Sequence, residues 1–453
     1  MRSRLLTISV VFLLIAGCGG GKPSDNGDSK SAKPDISSIK IHGDRSIPTN
    51  KLAIEAIADL QTYWSKEFPK LYGKKYKKVK GGLYALTTQS TEGPACASSY
   101  SDVQGNAFYC KVDDSVAWDA QGLLPDLQKK YGNFVIPVVL AHEWGHAMQQ
   151  RSGFFSDNQL TVSSELQADC FAGGWSKHAQ ATGAFKVTSA QLDTALAGIL
   201  DLRDQPGTSS DDQSAHGSGF DRVSAFQNGF DNGTAACKPY KDGNPVVLEL
   251  PFNDAQDAAD GGNAPYDTIV NKVPYDIEDY WTQVFPEISN GKKWTPLKGF
   301  EPFDPSKPPA CGDADTSGYS LFYCVPEDYI AFDNVDEMPT VYQQGGDYAV
   351  ATLLATQWGL AALARIGDPL TGKTATLQGD CFAGAYTASV ILFNRSKTSS
   401  FHISPGDLDE GIKALLVFRG QGDVARQGAG YGRVKAFRTG VIDGVQPCLT
   451  YKA

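Results

Sequence analysis

Leu140-Ala141-His142-Glu143-Trp144-Gly145-His146-Ala147 recurs later in the chain as Leu354-Ala355-Thr356-Gln357-Trp358-Gly359-Leu360-Ala361. Working outward, the neighbouring segments repeat with it. Leu166-Gln167-Ala168-Asp169-Cys170-Phe171-Ala172-Gly173 returns as Leu377-Gln378-Gly379-Asp380-Cys381-Phe382-Ala383-Gly384. Arg222-Val223-Ser224-Ala225-Phe226 returns as Arg433-Val434-Lys435-Ala436-Phe437, and Tyr63-Trp64 with Phe68-Pro69 as Tyr280-Trp281 with Phe285-Pro286. The copies are collinear, so the chain is a tandem duplication. Residues 46–250 make the first copy and 265–453 the second, with a seam in the Asp- and Gly-rich stretch 254–264. The seam acids Asp254, Asp257 and Asp260 lack an EF-hand pattern and read as a solvated linker.

Phe134 to Gln150 is apolar, with no glycine before Gly145, and reads as a buried helix. On a helix His142 and His146 share a face, so both imidazoles can reach one cation. Glu143 projects one position round, where it can act on water rather than bind the metal. A catalytic zinc needs a third protein ligand and leaves its fourth position open. Glu165 is the candidate, within Ser163-Ser164-Glu165-Leu166-Gln167-Ala168-Asp169-Cys170, a segment of helical propensity. A turn between Ser152 and Asn158 would bring that segment back antiparallel to the first helix. Asp169, on the same face as Glu165, can bond the far nitrogen of a ligand histidine and fix its tautomer.

The segments HEWGH, ELQADCFAG and His216-Gly217 with Arg222, together with Phe108-Tyr109-Cys110 before the catalytic helix, resemble the neutral zinc metallopeptidase family of bacteria. The resemblance covers residues 60–240. It implies a gluzincin-like HExxH site with His142, His146 and Glu165 as ligands, Glu143 as general base and one zinc per chain, in the first domain. It implies peptide or protein substrates. The fold expected is mainly α with a small β element (α+β), in two tandem homologous zincin-like domains of which the second lacks the metal site. A strand near Ala107–Cys110 would form the edge against which a peptide could lie.

The second copy is an internal control. It has Thr356 for His142, Gln357 for Glu143, Leu360 for His146 and Thr376 for Glu165. Glutamine cannot act as a general base and leucine cannot bind a metal, so this copy cannot run the same reaction. Residues present in both copies, such as Trp144, Gly145 and Arg222, read as scaffold. His216 is replaced by Gln427, so two readings of it stand: a group steadying the oxyanion, or a surface histidine in a flexible stretch. Asp169 persists as Asp380 where no metal can bind, which gives it a structural reading beside its service to zinc.

Arg2 and Arg4 precede an apolar run from Leu5 to Ala16 that ends in Ile15-Ala16-Gly17-Cys18. That is the pattern of a signal peptide, 1–17, and Cys18 sits where a bacterial lipobox places its lipidated cysteine. Acyl chains on Cys18 would hold the protein on the extracytoplasmic face of the cell membrane, through a polar tether over residues 18–45. Setting Cys18 aside leaves eight cysteines, four per copy at matching places, and an even count in an exported protein implies disulfides. The repeat favours Cys96–Cys110, Cys170–Cys237, Cys311–Cys324 and Cys381–Cys448 among the three pairings open to each copy. A net charge of −10 argues against nucleic acid as a partner. The rival to a peptidase is a cell-envelope binding or assembly protein that uses the duplicated domain as a recognition surface. A zinc hydrolase acting on a non-peptide bond is a third reading.

Overall fold

The computed structural model describes residues 35–154, 161–212, 215–243, 247–394, 399, 401–418 and 427–452. Cys18 and residues 18–34 of the expected tether lie outside them. The rest of that tether is folded. Ile39 is buried, and His42 donates its N–H to Leu83 O at 2.8 Å and accepts from Ala85 N at 2.9 Å. Apolar Ile39 and Ile41 set these residues apart from the polar stretch before them, and they pack against the core.

The first copy runs α1 (Pro48–Tyr72), β1 (Gly82–Leu86), β2 (Ala107–Cys110), β3 (Ser115–Asp119), α2 (Leu123–Tyr131), α3 (Val135–Ser152), α4 (Thr161–Thr182), α5 (Ser189–Asp201) and α6 (Gly219–Asn232). A short helix, α7 (Ala255–Ala259), lies in the seam. The second copy repeats the series: α8 (Tyr266–Ile288), β4 (Gly299–Phe303), β5 (Leu321–Cys324), β6 (Tyr329–Asp333), α9 (Glu337–Gly345), α10 (Asp347–Ile366), α11 (Gly372–Ile391), α12 (Asp407–Val417) and α13 (Gly430–Asp443). Helix makes 56% of the described residues against 8% strand, so the fold is mainly α with small mixed sheets. Each sheet has three strands with the same topology: β1-β3-β2, parallel then antiparallel, and β4-β6-β5 likewise. The four disulfides join Cys96–Cys110, Cys170–Cys237, Cys311–Cys324 and Cys381–Cys448, the same two in each copy.

Helix α3 has apolar residues on nearly all sides and is buried from Val135 to Gly145. A helix of that kind has to be enclosed, and α1, α2, α4 and α5 surround it. Its crossing with α4 is close. A Cβ on Gly145 would stand 2.9 Å from Ala168 Cα, and in the second copy one on Gly359 would stand 2.9 Å from Gly379 Cα. Only glycine admits that approach, which sets the α3 face bearing the histidines against α4. On the other side, a Cβ on Gly229 of α6 would fall 1.7 Å from Cys170 O, so α4 is clamped between two helices.

Helix α10 is long and apolar enough to cross a membrane by length and composition, with mean hydropathy 1.3. It is 72% buried inside the fold, as the core helix equivalent to α3.

The two copies do not stand apart as separate domains. One continuous core runs through both, and they cap each other's helices. Asp193 of α5 accepts from Gly430 N at 2.9 Å and Tyr431 N at 2.6 Å, at the start of α13. Asp409 of α12 accepts from Gly219 N at 3.0 Å and Phe220 N at 2.7 Å, at the start of α6. A carboxylate at a helix N-terminus satisfies free N–H groups and complements the dipole. The exchange is reciprocal, as in a twofold dimer interface. Arg203 Nε lies 2.8 Å from Asp409 Oδ2, and Arg438 Nη1 donates to Gln227 Oε1 at 2.7 Å, adding polar ties across the join.

Candidate metal centre

Helix α3 supplies His142 and His146, and α4 supplies Glu165 and Asp169, so the crossing at Gly145 brings the four together. Glu165 Oε2 lies 3.0 Å from His142 Nε2, and Glu165 Oε1 lies 3.3 Å from His146 Nε2. The two Nε2 atoms are 3.2 Å apart. A zinc ion with ligands at about 2.0–2.1 Å in tetrahedral array separates them by about 3.3 Å. The two imidazole nitrogens are thus spaced as two corners of a zinc tetrahedron with one Glu165 oxygen beside each, and nitrogen and carboxylate donors are the set zinc takes.

The far side of each imidazole is also held. His142 Nδ1 donates to Asp169 Oδ1 at 2.8 Å, which directs its Nε2 lone pair to the centre. His146 Nδ1 donates to Gln149 Oε1 at 2.9 Å, and Gln149 is itself fixed by donating to Ser164 O at 2.6 Å. Sequence reasoning missed Gln149, although its position one turn beyond His146 on a buried helix was a usable signal.

Asp169 has a second partner. Arg222 Nε donates to its Oδ2 at 2.8 Å and Arg222 Nη2 to its Oδ1 at 3.1 Å. The same pair exists without histidine in the second copy, where Arg433 Nε and Nη2 reach Asp380 at 2.8 Å and 2.7 Å. Both arginines are buried, so each needs its acid. That need accounts for an aspartate at this place in both copies.

The electrostatics favour positive charge at the centre. Burial opposes a charge on His142, but Asp169 and Glu165 outweigh it and push its pKa up to about 10. For His146 burial also opposes the charge, and Glu165 again overcomes it. Burial would raise Glu165, yet His146 and His142 hold it well below the usual carboxylate range. A cation can take the place of those protons.

Glu143 stands beside this group without joining it. It is 6% exposed, burial raises its pKa, and its Oε2 accepts from Tyr109 N at 3.0 Å. Tyr109 belongs to β2, the edge strand of its sheet. Since this N–H turns away from β3, the alternating groups on that side of β2 face the site. Beside β2 opens a cleft of about 380 Å³ walled by Phe108, Val135, Val139, Ile199 and Leu202, with His142, Glu143 and Glu165 in it. His216 lies on its wall, half-exposed, with its backbone N–H donating to Asp204 Oδ2 at 2.7 Å and Nδ1 3.3 Å from Asp204 Oδ1.

The corresponding place in the second copy keeps a cleft of about 270 Å³, lined by Phe322, Leu353, Thr356, Gln357, Leu360 and Thr376. Thr356 Oγ1 donates to Leu353 O at 2.6 Å. The side chains that replace the ligands offer no histidine or carboxylate.

The family described as "Putative neutral zinc metallopeptidase" has a model that matches residues 24–240, the first copy. The uncharacterized protein YpfJ of Escherichia coli K12 is 29% identical over 253 residues, covering 51% of this chain and 84% of that protein. The uncharacterized protein Rv2575 of Mycobacterium tuberculosis is 35% identical over 98 residues, covering 19% of this chain and 33% of that protein. An uncharacterized protein of Mycobacterium bovis, Mb2605, matches with the same identity and coverage. No solved structure matches the chain.

Proposed function

We propose that the chain is a zinc metallopeptidase with a single working centre in its first copy, at His142, His146 and Glu165. The observation that carries this reading is the convergence of three donors at zinc spacing beside a buried carboxylate and a sheet edge. Zinc bound there would polarise the scissile carbonyl and acidify the attacking water. Glu143 takes a proton from that water and passes it to the leaving amine. The edge of β2 holds the peptide backbone extended, and the apolar walls of the cleft receive its side chains. His216, on the cleft wall, donates toward the carbonyl oxygen as charge develops there. The lipobox-like run before Cys18 supports anchoring through acyl groups at the outer face of the cell membrane, where peptides and proteins of the envelope are the substrates at hand.

Metal analysis of the purified chain is expected to return zinc near one per chain. Cleavage of a mixed peptide library should stop on chelation and return with zinc. Cleavage that survives complete chelation would overturn the reading, and two zinc ions per chain would end the claim of one centre.

The cleft retained in the second copy favours a further role for that half as a recognition module. A Glu143→Gln chain would then bind library peptides at two classes of site, and Leu360→Arg would remove one of them. A single class unaffected by Leu360→Arg would exclude this role.

A further inference from the structure

Three acids, two of them buried, meet in the second copy, away from the histidines. Carboxylate oxygens of Asp347, Asp407 and Glu410 lie within 4.8 Å of one another. Asp347 opens α10, and Asp407 and Glu410 lie in the first turn of α12. Asp347 and Asp407 are 3% and 2% exposed.

Each acid accepts one backbone N–H, and the Asp347 and Glu410 carboxyl groups also share a side-chain hydrogen bond. Asp347 Oδ2 accepts from Ala264 N at 2.8 Å, Asp407 Oδ2 from Ser404 N at 2.7 Å, and Glu410 Oε2 from Tyr348 N at 2.9 Å. The other oxygens of the two aspartates, Asp347 Oδ1 and Asp407 Oδ1, are buried with no hydrogen-bond partner among the described residues. The charges that act on Asp407 are themselves acidic: Asp347, Glu410 and Asp257. Buried polar atoms are almost always paired, so two such oxygens in one acidic cluster call for a positive ligand.

The duplication separates what the fold needs from what is added. The first copy carries Asn133, Gln191 and Thr194 at the corresponding places. There Gln191 Oε1 accepts from Thr188 N at 2.9 Å, the same helix-capping bond that Asp407 makes, with no charge. The capping work therefore does not require an acid at 407, and the second oxygen is surplus to it.

We propose that Asp347, Asp407 and Glu410 form a calcium site. An all-oxygen carboxylate set suits a hard divalent cation, and calcium accepts irregular oxygen geometry where magnesium demands a near-ideal octahedron. Asp347 lies on the wall of a cavity shared with Asp257, Asn263 and Ser404, which gives the ion and its remaining waters a way in. Burial pushes the Asp347 carboxyl up to about 6, and Asp407 and Glu410 well above their usual range. That is the strain a cation relieves. Bound calcium ties the starts of α10 and α12 to the seam residues that join the two copies, and α12 packs on α5 of the first.

The test is calorimetric titration of the chelator-stripped full chain with calcium chloride, and its melting with and without calcium. One calcium per chain is expected, with a dissociation constant of about 10⁻³ M or tighter and magnesium at least about tenfold weaker. At a hundredfold excess over that constant the midpoint should rise by about 3 °C. Asp407→Asn should weaken calcium at least about tenfold. In calcium-free buffer it should melt at or above wild type, because it removes repulsion. Glu165→Gln should keep the calcium response. Wild type without heat or shift at about 10 mM calcium would overturn the proposal, as expected of acids neutralised by shared protons. A response unchanged by Asp407→Asn, or an Asp407→Asn chain that melts well below wild type without calcium, would overturn it too.

Discussion

Glu143→Gln is expected to lower peptide hydrolysis by about 10²–10⁴-fold, the usual worth of a positioned general base, while zinc stays near one per chain. The substitution keeps the shape of the side chain and an oxygen to accept from Tyr109 N, which holds Glu143 Oε2 at 3.0 Å. The fold should tolerate it, since the second copy carries Gln357 at this point of α10. Among the hydrogen bonds of the described residues Glu143 makes none to His142 or His146, whose ring nitrogens are taken by Glu165, Asp169 and Gln149. Removing its charge therefore leaves the donor set intact and removes only the proton acceptor. Rates on a peptide library, zinc content and melting of the two proteins together decide the matter. Equal rates would end the assignment. Loss of zinc along with activity would show that Glu143 binds the metal instead.

The second large effect separates the two duties of Asp169. Asp169→Ala and Asp380→Ala each leave a buried arginine, Arg222 or Arg433, without its acid. Breaking a buried pair in this way costs about 3–5 kcal/mol, so both variants should unfold at clearly lower denaturant. Only Asp169→Ala should also weaken zinc, by about 10–100-fold, because only there does the acid orient a ligand histidine. Equilibrium unfolding gives the shared loss, and competition with a chelator of known affinity gives the zinc constant. An Asp380→Ala chain with equally weakened zinc would mean that the effect travels through the common core. Unchanged zinc in Asp169→Ala would mean that His142 needs no partner.

Much of this site could be read in the sequence because its information is local. His142 and His146 are one helical turn apart, so the helix itself brings them to one face. Glu165 required an assumption that a second helix turns back, and the turn was inferable from the polar stretch between the apolar segments. The β2 edge was visible from its position before the helix that carries the histidines. The duplication, being a comparison of the chain with itself, also indicated which cysteines pair and which half lacks the two histidines and Glu165.

Four features depended on contacts that pattern does not encode. Gln149 holds His146 through a bond whose meaning appears only when Ser164 is seen to fix the amide. The Arg222–Asp169 pair joins residues on α4 and α6, and it explained a persistence that the sequence left ambiguous. Residues 35–45 looked like tether because their composition is polar, but two isoleucines were enough to dock them. His216 stood between two readings in the sequence, and the fold brings it to the cleft wall while leaving it half-exposed.

What the sequence by itself determined is the pair of copies, the mainly helical class and a candidate metal-binding set confined to one of them, since these rest on identity and short-range spacing. Only the tertiary structure decided that the copies share one core, that Asp193 and Asp409 cap helices across the join, and that Asp347, Asp407 and Glu410 come together. Asp407 and Glu410 share one turn of α12, but Asp347 opens α10, some sixty residues earlier, and no periodicity links it to them. Their meeting is set by how α10 and α12 pack, which depends on the shapes of buried side chains acting all at once.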